Sequence, residues 1–482
     1  MPKDIAMPTV AAKLRSLPLP SQRALLTLLI LVCLLSYALL FGRYRIEEVD
    51  DAWLMSMYYN AYTHHILEDV VFGDTPHARF TMASQIFING LVMTRTGWSK
   101  AAIHSINLAW MALAALIWWR IARRVLGRGN QAALLCVVLL FSCEAMMGAA
   151  YKGRPDAMAF ACASAAVLAY LSAWPVAAGF LLIVAFEVHP VALIAVAYMV
   201  GLELHDLLRA RAAWPTVRNV LLGALGVLIG LGYYFLLHHV TPLQLLQFLR
   251  NDAGTGVNPL YAHFFRRGGL RFLPELAVIV AAFALALRRW RVLARRPAFL
   301  MFCVAVLSSF LILRGNFHYA IYFYPAFALL IVDVALELGW QKGLALTASV
   351  YFACFYAALL YHNRTIDEAQ VQRSYTALAL QVSGDKPVFG PPNAWFALKD
   401  KGYRYFWRKA GVETLRGPAY LIVSTANPPW ADLLACLSPP ETWTRLDRFA
   451  YAGARISLYA VQAQGCREPP GQPPGRADVS AW

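Results

Sequence analysis

Apolar runs of roughly 20 residues recur along the whole chain, each closed by a short polar or basic stretch. That is the length a helix needs to cross a hydrocarbon core. The pattern predicts about eleven spans, at approximately 24–43, 101–121, 131–150, 157–173, 175–187, 190–204, 216–239, 271–289, 297–314, 319–338 and 343–361. The middle pair needs an argument, because WPVAAGFLLIVAFEVHPVALIAVAYMVGLEL is long enough for one tilted helix. "EVHP" interrupts it, and Pro190 disfavours helical geometry at the residue before it. The basic stretch at 120–128 and the loop of Arg209, Arg211 and Arg218 both read as cytoplasmic. With two spans already between them, the 175–204 stretch must enter and leave on the same side. Two short helices turning at 187–190 satisfy this, and a single crossing does not. The expected N-terminus is therefore inside and the C-terminus outside.

The polar segments between the spans are unequal. The longest outer loop, 44–100, begins with "EEVDDAWLMSMYYNAYTH". There Leu54, Met57, Tyr58, Ala61, Tyr62 and His65 fall near one helical face, which predicts an amphipathic helix along the membrane interface. A second such piece runs from Phe80 to Met93. A third outer loop carries Leu243, Leu246 and Leu249 and ends in Arg266 and Arg267, a pair suited to lipid headgroups. After Tyr361 the polarity becomes ordinary. "KPVFG", "AYLIVSTA" and "ARISLYAV" read as short strands bounded by Gly, Pro and Asn. They predict a small extracytoplasmic α/β domain at 362–465, followed by a Pro/Gly-rich disordered tail at 466–482. Residues 1–23 form an expected cytoplasmic tail, and the first span reads as a retained signal anchor because no clean cleavage site follows it. The fold class is thus a polytopic α-helical membrane protein with interfacial helices and one small outer domain.

Composition sharpens this picture. Hydrophobic residues make up 59% of the 482, charged residues only 15%, and the mean hydropathy is +0.51. A soluble domain keeps roughly a quarter of its residues charged. The net charge of +16 would suggest nucleic acid in a soluble protein, but the arginines cluster in short loops between apolar spans, as the positive-inside rule demands. No nucleic-acid partner is expected; membrane lipids are. Cys33, Cys136, Cys143, Cys162, Cys303 and Cys354 lie inside apolar spans without metal-ligand spacing, whereas Cys436 and Cys466 lie in the polar tail and could pair in an oxidising compartment.

Charged groups near membrane spans are costly and tend to be functional. Here they converge on one side. Asp50 and Asp51 follow the first span; Glu144, Lys152, Arg154 and Asp156 lie around the ends of the third and fourth. Glu187 and His189 mark the turn of the helix pair, and Arg314, His318 and Tyr319 lie in "RGNFHYAIYFYP". A transporter more often sets such groups at the midplane, on interrupted helices. This set instead describes a cavity at headgroup depth, open to the outside and suited to a half-lipid substrate.

At this point the residues resemble a known family. A long first outer loop with an acidic pair ("VDDAW"), a later "YKGRPDAMAF", the helix pair "AGFLLIVAFEVHP" and the late span "HYAIYFYPAFALLI" are together similar to GT-C membrane glycosyltransferases. The likeness is to family 39, the group of protein O-mannosyltransferases and aminoarabinose transferases, and it covers roughly 24–361. "DTPHARFTMASQIF" stands where that group has Pro-Pro followed by aromatics, here Pro76-His77; the acidic pair is Asp-Asp rather than Asp-Glu. The resemblance implies a GT-C-like catalytic domain in a bacterial inner membrane. Its implied reaction passes a sugar from a polyprenyl phosphate to an acceptor hydroxyl on a glycolipid, polysaccharide or protein, at the outer face and with inversion. Asp50 corresponds to the first acid of the family's pair and becomes the expected base, with Asp51 as its partner. Lys152, Arg154 and Arg314, with His189 and His318 behind them, are the candidates to hold the donor phosphate, and Asp156, Glu187 and Tyr319 to support them.

Competing readings stay open for these residues. Asp50 or Asp51 could simply cap the interfacial helix, Arg154 and Asp156 could form an anchoring salt bridge, and His189 before Pro190 could be structural. No ligand spacing demands a metal or other cofactor, although His64 and His65 beside Glu68 and Asp69 leave a divalent cation open. Asp333 and Glu337, toward the inner end of their span, have no assigned role. The alternative function is a transporter or flippase of a lipid-linked glycan.

Overall fold

A backbone in hydrocarbon must satisfy every N–H and C=O within itself, so each apolar run has little choice but to be helical. The computed structural model describes residues 20–44, 49–67, 80–210, 214–252, 257–267, 272–312, 317–405, 416–425, 431–434, 436–451 and 454–465. Each of the eleven expected apolar segments carries helix. They comprise α1 (Gln22–Leu40), α4 (Lys100–Leu126), α5 (Gly129–Ser142) with α6 (Glu144–Ala150), α7 (Asp156–Leu171) and α8 (Pro175–Val188). The series continues with α9 (Ala195–Ala210), α10 (Trp214–His238), α12 (Leu273–Arg288), α13 (Pro297–Ser309), α14 (Tyr324–Glu337) and α15 (Gln341–His362). Among the described residues five helices are individually long and apolar enough to cross a membrane; the bent pair α5–α6, turned by 68°, makes a sixth. Helices α7, α8 and α13 are shorter and apolar. The chain is a multi-pass membrane protein. Leu221, Leu225, Leu228 and Leu236 of α10 are bare in the isolated chain, as a surface facing lipid tails should be.

The break expected at 187–190 is present. Helix α8 stops at His189, whose backbone is extended (φ −156°, ψ 119°), and Pro190 opens a 3-10 turn, Pro190–Ile194, that leads into α9. His189 Nδ1 accepts the Val191 N–H at 3.3 Å and so caps that turn. Without a hydrophobic drive between helices in lipid, close packing depends on small residues. Helices α8 and α10 meet this way: a Cβ built at Gly226 would stand 2.0 Å from the Val176 carbonyl oxygen.

Among the described residues of the 44–100 segment there are two further helices, α2 (Val49–Thr63) and α3 (Ala83–Thr96). Leu54, Met57 and Tyr58 of α2 are buried, as the pattern predicts, but Asp51, Ala52, Met55 and Ser56 are buried too. The reason is a cover that the helix's own pattern does not announce. Leu54, Met57, Tyr58 and Ile86 share one core with Tyr375, Leu378, Trp395 and Leu458 of the C-terminal part. On α11 (Pro242–Asp252) the inward residues are Leu245 and Phe248, while Leu243 and Leu246 are left outward.

The C-terminal part opens with α16 (Glu368–Leu380), capped by Asp367, which accepts the Gln370 N–H at 3.1 Å. A five-stranded sheet follows in the order β2-β1-β3-β5-β4. Its strands are β1 (Val388–Gly390), β2 (Tyr403–Tyr405), β3 (Arg416–Ser424), β4 (Thr444–Tyr451) and β5 (Ala454–Gln464). The three expected strands correspond to β1, β3 and β5; the pattern missed β2, which is only three residues long, and β4. β1 runs parallel to both neighbours, whereas β3–β5 and β5–β4 are antiparallel. Cys436 is disulfide-bonded; Cys466 lies outside the described residues. The six cysteines expected as apolar filler are free thiols.

Candidate active site

Consecutive residues on a helix point about 100° apart, so the two aspartates at the start of α2 cannot share an environment. Both sit in its first turn, where the helix dipole favours negative charge. Asp51 is fully buried; the Asp50 side chain is 20% exposed. Asp51 Oδ2 lies 3.2 Å from Lys100 Nζ and 3.4 Å from His104 Nε2, and its Oδ1 accepts the Gly153 N–H. Burial alone would push this carboxyl up. The charges of Lys100 and His104, with the hydrogen bonds from His104 and Gly153, outweigh it and hold the group at about 2. Gly153 is the residue that allows the approach: a Cβ there would meet Asp51 Cα at 2.6 Å.

Asp50 instead faces Arg154. Arg154 Nη1 donates to Asp50 Oδ2 at 2.8 Å, and its Nε donates to Asp156 Oδ2 at 2.6 Å. Burial disfavours the guanidinium's charge, but Asp156 and Asp50 more than compensate and raise its pKa. The salt bridge read from "RPD" is therefore present, and it extends to the acidic pair. The backbone that makes this geometry is the short link between α6 and α7, where Pro155 precedes the first residue of α7. Asn107 of α4 anchors the link by donating Nδ2 to the Lys152 carbonyl at 2.6 Å. Lys152 itself is buried, its Nζ 3.2 Å from His318 Nδ1.

His318 and Tyr319 belong to the 3-10 turn Phe317–Tyr322. The Tyr319 ring lies 5.0 Å from the His189 ring at a tilt, and the Tyr322 ring lies 6.3 Å from the same imidazole at an interplanar angle of 26°. Asp156 interacts electrostatically with Arg154, His189 and Lys152, and Arg154 with Tyr319. The structure thus brings Asp50, Lys152, Arg154, Asp156, His189, His318 and Tyr319 into one connected group. Arg314 lies outside the described residues.

Glu187 belongs elsewhere. Helix α3 is preceded by Met82 in a left-handed conformation (φ 70°), which gives it no side-chain cap. The buried Glu187 carboxylate supplies one, accepting the Ser84 N–H at 3.3 Å, while the Glu187 carbonyl accepts the Met82 N–H at 2.8 Å. His238 Nε2 of α10 lies 2.9 Å from the same carboxylate. Glu187 is therefore a clamp between α8, α3 and α10. At the other end of the bundle, Arg296 bridges Asp333 at 2.7 Å and Glu337 at 2.6 Å, which gives those two acids a structural role.

Three polar residues were not singled out from the sequence: Lys100, His104 and Glu368. Lys100 Nζ lies 3.0 Å from Glu368 Oε1, and His104 Nδ1 lies 3.9 Å from Glu368 Oε2. The available signal was the i, i+4 spacing of Lys100 and His104 at the polar end of an apolar helix, which sets both on one face. Among the described residues no group of three His, Cys, Asp or Glu side chains is arranged to hold a metal. Glu68 and Asp69, the expected neighbours of His64 and His65, lie outside the described residues.

No family model and no curated protein matches the sequence. Solved structures do match its shape. A crystal structure of ArnT from Cupriavidus metallidurans bound to undecaprenyl phosphate superposes with a TM-score of 0.63 at 14% identity, over 91% of this chain and 98% of that one. The apo state of the same protein gives 0.60 over the same shares. The chain has a GT-C fold. At this identity the likeness is one of architecture alone. The GT-C assignment agrees with the order of apolar spans, the long first loop and the C-terminal sheet.

Proposed function

We propose that this protein is an inverting glycosyltransferase that moves a sugar from a polyprenyl phosphate to an acceptor hydroxyl at the outer face of the bacterial inner membrane. The observation that carries the reading is Arg154, held between Asp50 and Asp156, with Lys152 two residues before it in contact with His318, in a GT-C fold. These groups stand at helix termini and linkers, not in the middle of spans, which suits a substrate with its head at the membrane boundary and its tail in lipid. ArnT is the protein whose structure holds undecaprenyl phosphate, and a polyprenyl phosphate is the donor class this site would take.

In the proposed step, Asp50 accepts the acceptor's hydroxyl proton as the acceptor oxygen bonds to the anomeric carbon from the face opposite the phosphate. The carbon–oxygen bond to phosphate breaks and its electron pair leaves with the phosphate. Arg154 and Lys152 balance the growing negative charge. Asp156 keeps hold of Arg154 through Nε, so the guanidinium stays in position when the donor phosphate draws Nη1 away from Asp50. That exchange releases the Asp50 carboxylate to act as a base. Asp51, already committed to Lys100 and Gly153, is a structural partner in this scheme. An apolar cavity of about 190 Å3 lies between α5, α12, α14 and α15, walled by Leu140, Ile279, Phe327 and Phe352 among others, and its lining is of the kind a hydrocarbon chain would take. Helix α14, which forms one side of it, follows directly on the turn bearing His318 and Tyr319.

The test is transfer of labelled sugar from polyprenyl-phosphate donors to envelope acceptors by membranes carrying wild type or Asp50→Asn. A general base contributes roughly 10²–10⁴-fold, so a loss of that size, with normal protein level and retained donor binding, is expected. Equal transfer by both forms would reduce Asp50 to a helix-start carboxylate and overturn the assignment.

A further inference from the structure

The reading above leaves a buried ionic cluster unexplained. Asp51, Lys100, His104 and Glu368 come from three separate stretches: the start of α2, the start of α4 and the first residue of α16. Glu368 holds Lys100 at 3.0 Å, and Lys100 holds Asp51 at 3.2 Å. His104 spans the same two carboxylates, 3.4 Å from Asp51 and 3.9 Å from Glu368. The side chains of Lys100 and Glu368 are 10% and 12% exposed, and Asp51 is fully buried. Such a cluster is expensive to bury, and removing one partner leaves the others with an uncompensated buried charge.

The backbone around it is tied as well. The Glu368 N–H donates to the Gly42 carbonyl at 3.1 Å, and Asn363 Nδ2 donates to the Tyr44 carbonyl at 3.0 Å. Both attachments fall just before the acidic stretch, and the ion pairs run from its last residue, Asp51, through Lys100 to Glu368. The start of the C-terminal domain therefore reaches this segment directly at Gly42 and Tyr44 and, through Lys100, at Asp51. We propose that Glu368 is a positioning residue for the transferase site: by holding Lys100 and His104 against Asp51, it fixes the first turn of α2 at the angle that directs Asp50 to Arg154. This rests on the function proposed above, and it adds that the C-terminal domain is a working part of the site. Glu368 touches neither donor nor acceptor in this arrangement; its influence passes through Lys100 and Asp51.

The test compares full-length wild type with Glu368→Gln and Glu368→Asp. Glu368→Gln lowers kcat for sugar transfer roughly tenfold to a hundredfold, the scale of a small misplacement of a reacting group, and leaves the KM for a polyprenyl-phosphate sugar unchanged. Glu368→Asp restores a substantial part of kcat. Independently of activity, amide hydrogen exchange at 53–57, the first bonded turn of α2, is roughly tenfold faster in Glu368→Gln, as for loss of one charge-assisted contact. Exchange in β3 and β5 is unchanged. Wild-type kcat and wild-type exchange at 53–57 in Glu368→Gln overturn the proposal, and so does a loss that tracks faster exchange throughout the sheet. If wild type transfers no sugar while 53–57 respond as stated, the transferase reading fails and the mechanical coupling stands. If wild type transfers and Glu368→Gln matches it, the reading stands and the coupling fails.

Discussion

Two adjacent carboxylates have different surroundings because one helical step turns Asp51 into a buried cluster and leaves Asp50 partly exposed against Arg154. The Asp51 carboxyl, held at about 2 against an ordinary 3.8, stabilises the fold only while it is ionised. A depressed folded pKa gives stability that is fully present above the unfolded value and is lost as pH falls through the folded one. Nearly two pKa units correspond to about 2 kcal/mol. Thermal unfolding of wild type and Asp51→Asn should therefore diverge above about pH 4 and converge as pH approaches about 2; a gap that persists at the acid end would contradict this. Gly153→Ala should be harmful for a steric reason, since its Cβ would lie 2.6 Å from Asp51 Cα. The expected outcome is a lower melting temperature together with a lower kcat, because the same link carries Lys152 and Arg154. A pair of acids at the start of a helix is visible in the sequence. Which of the two is buried is not, because burial is decided by Lys100, His104 and Gly153, which reach Asp51 from other parts of the chain.

At the scale of elements, the apolar helices were legible because lipid imposes one rule on all of them. The break at His189 was legible because proline imposes another. What the pattern could not supply was the angle between neighbours. Helix α3 starts without a cap of its own and depends on Glu187 across the gap from α8. Glu187→Ala leaves His238 without its carboxylate and Ser84 N–H without its acceptor, a loss in the range of roughly 3–5 kcal/mol for breaking a buried pair. Limited proteolysis at 83–96 should report it as cutting that wild type resists. Intact resistance would show that hydrophobic packing alone seats α3. Strands β2 and β4 escaped notice for ordinary reasons. β2 has three residues, and β4 is a mixed polar strand with an irregularity between Arg445 and Asp447.

At the scale of the whole molecule, the membrane bundle and the sheet domain are not a machine with an appendage. Leu54 and Tyr58 near the front of the sequence share a core with Tyr375, Trp395 and Leu458 near its end. The Tyr59 hydroxyl also donates to Asp400. Deletion of 363–482 should accordingly leave the spans inserted but render α2 protease-sensitive and abolish transfer. Persistent transfer by the truncated chain would mean that the bundle orients Asp50 unaided. The sequence boundary at 361 marks a change of solvent; hydropathy measures that, and it is silent about which buried faces later meet.

This shared core also sets an order of events during synthesis. The aspartates leave the translocation machinery more than three hundred residues before Glu368 does, and until then Tyr58 and Leu54 have no cover. In the proposed scheme a half-made chain holds the acidic pair without the frame that aims it, so the site comes into register only once the final domain has folded.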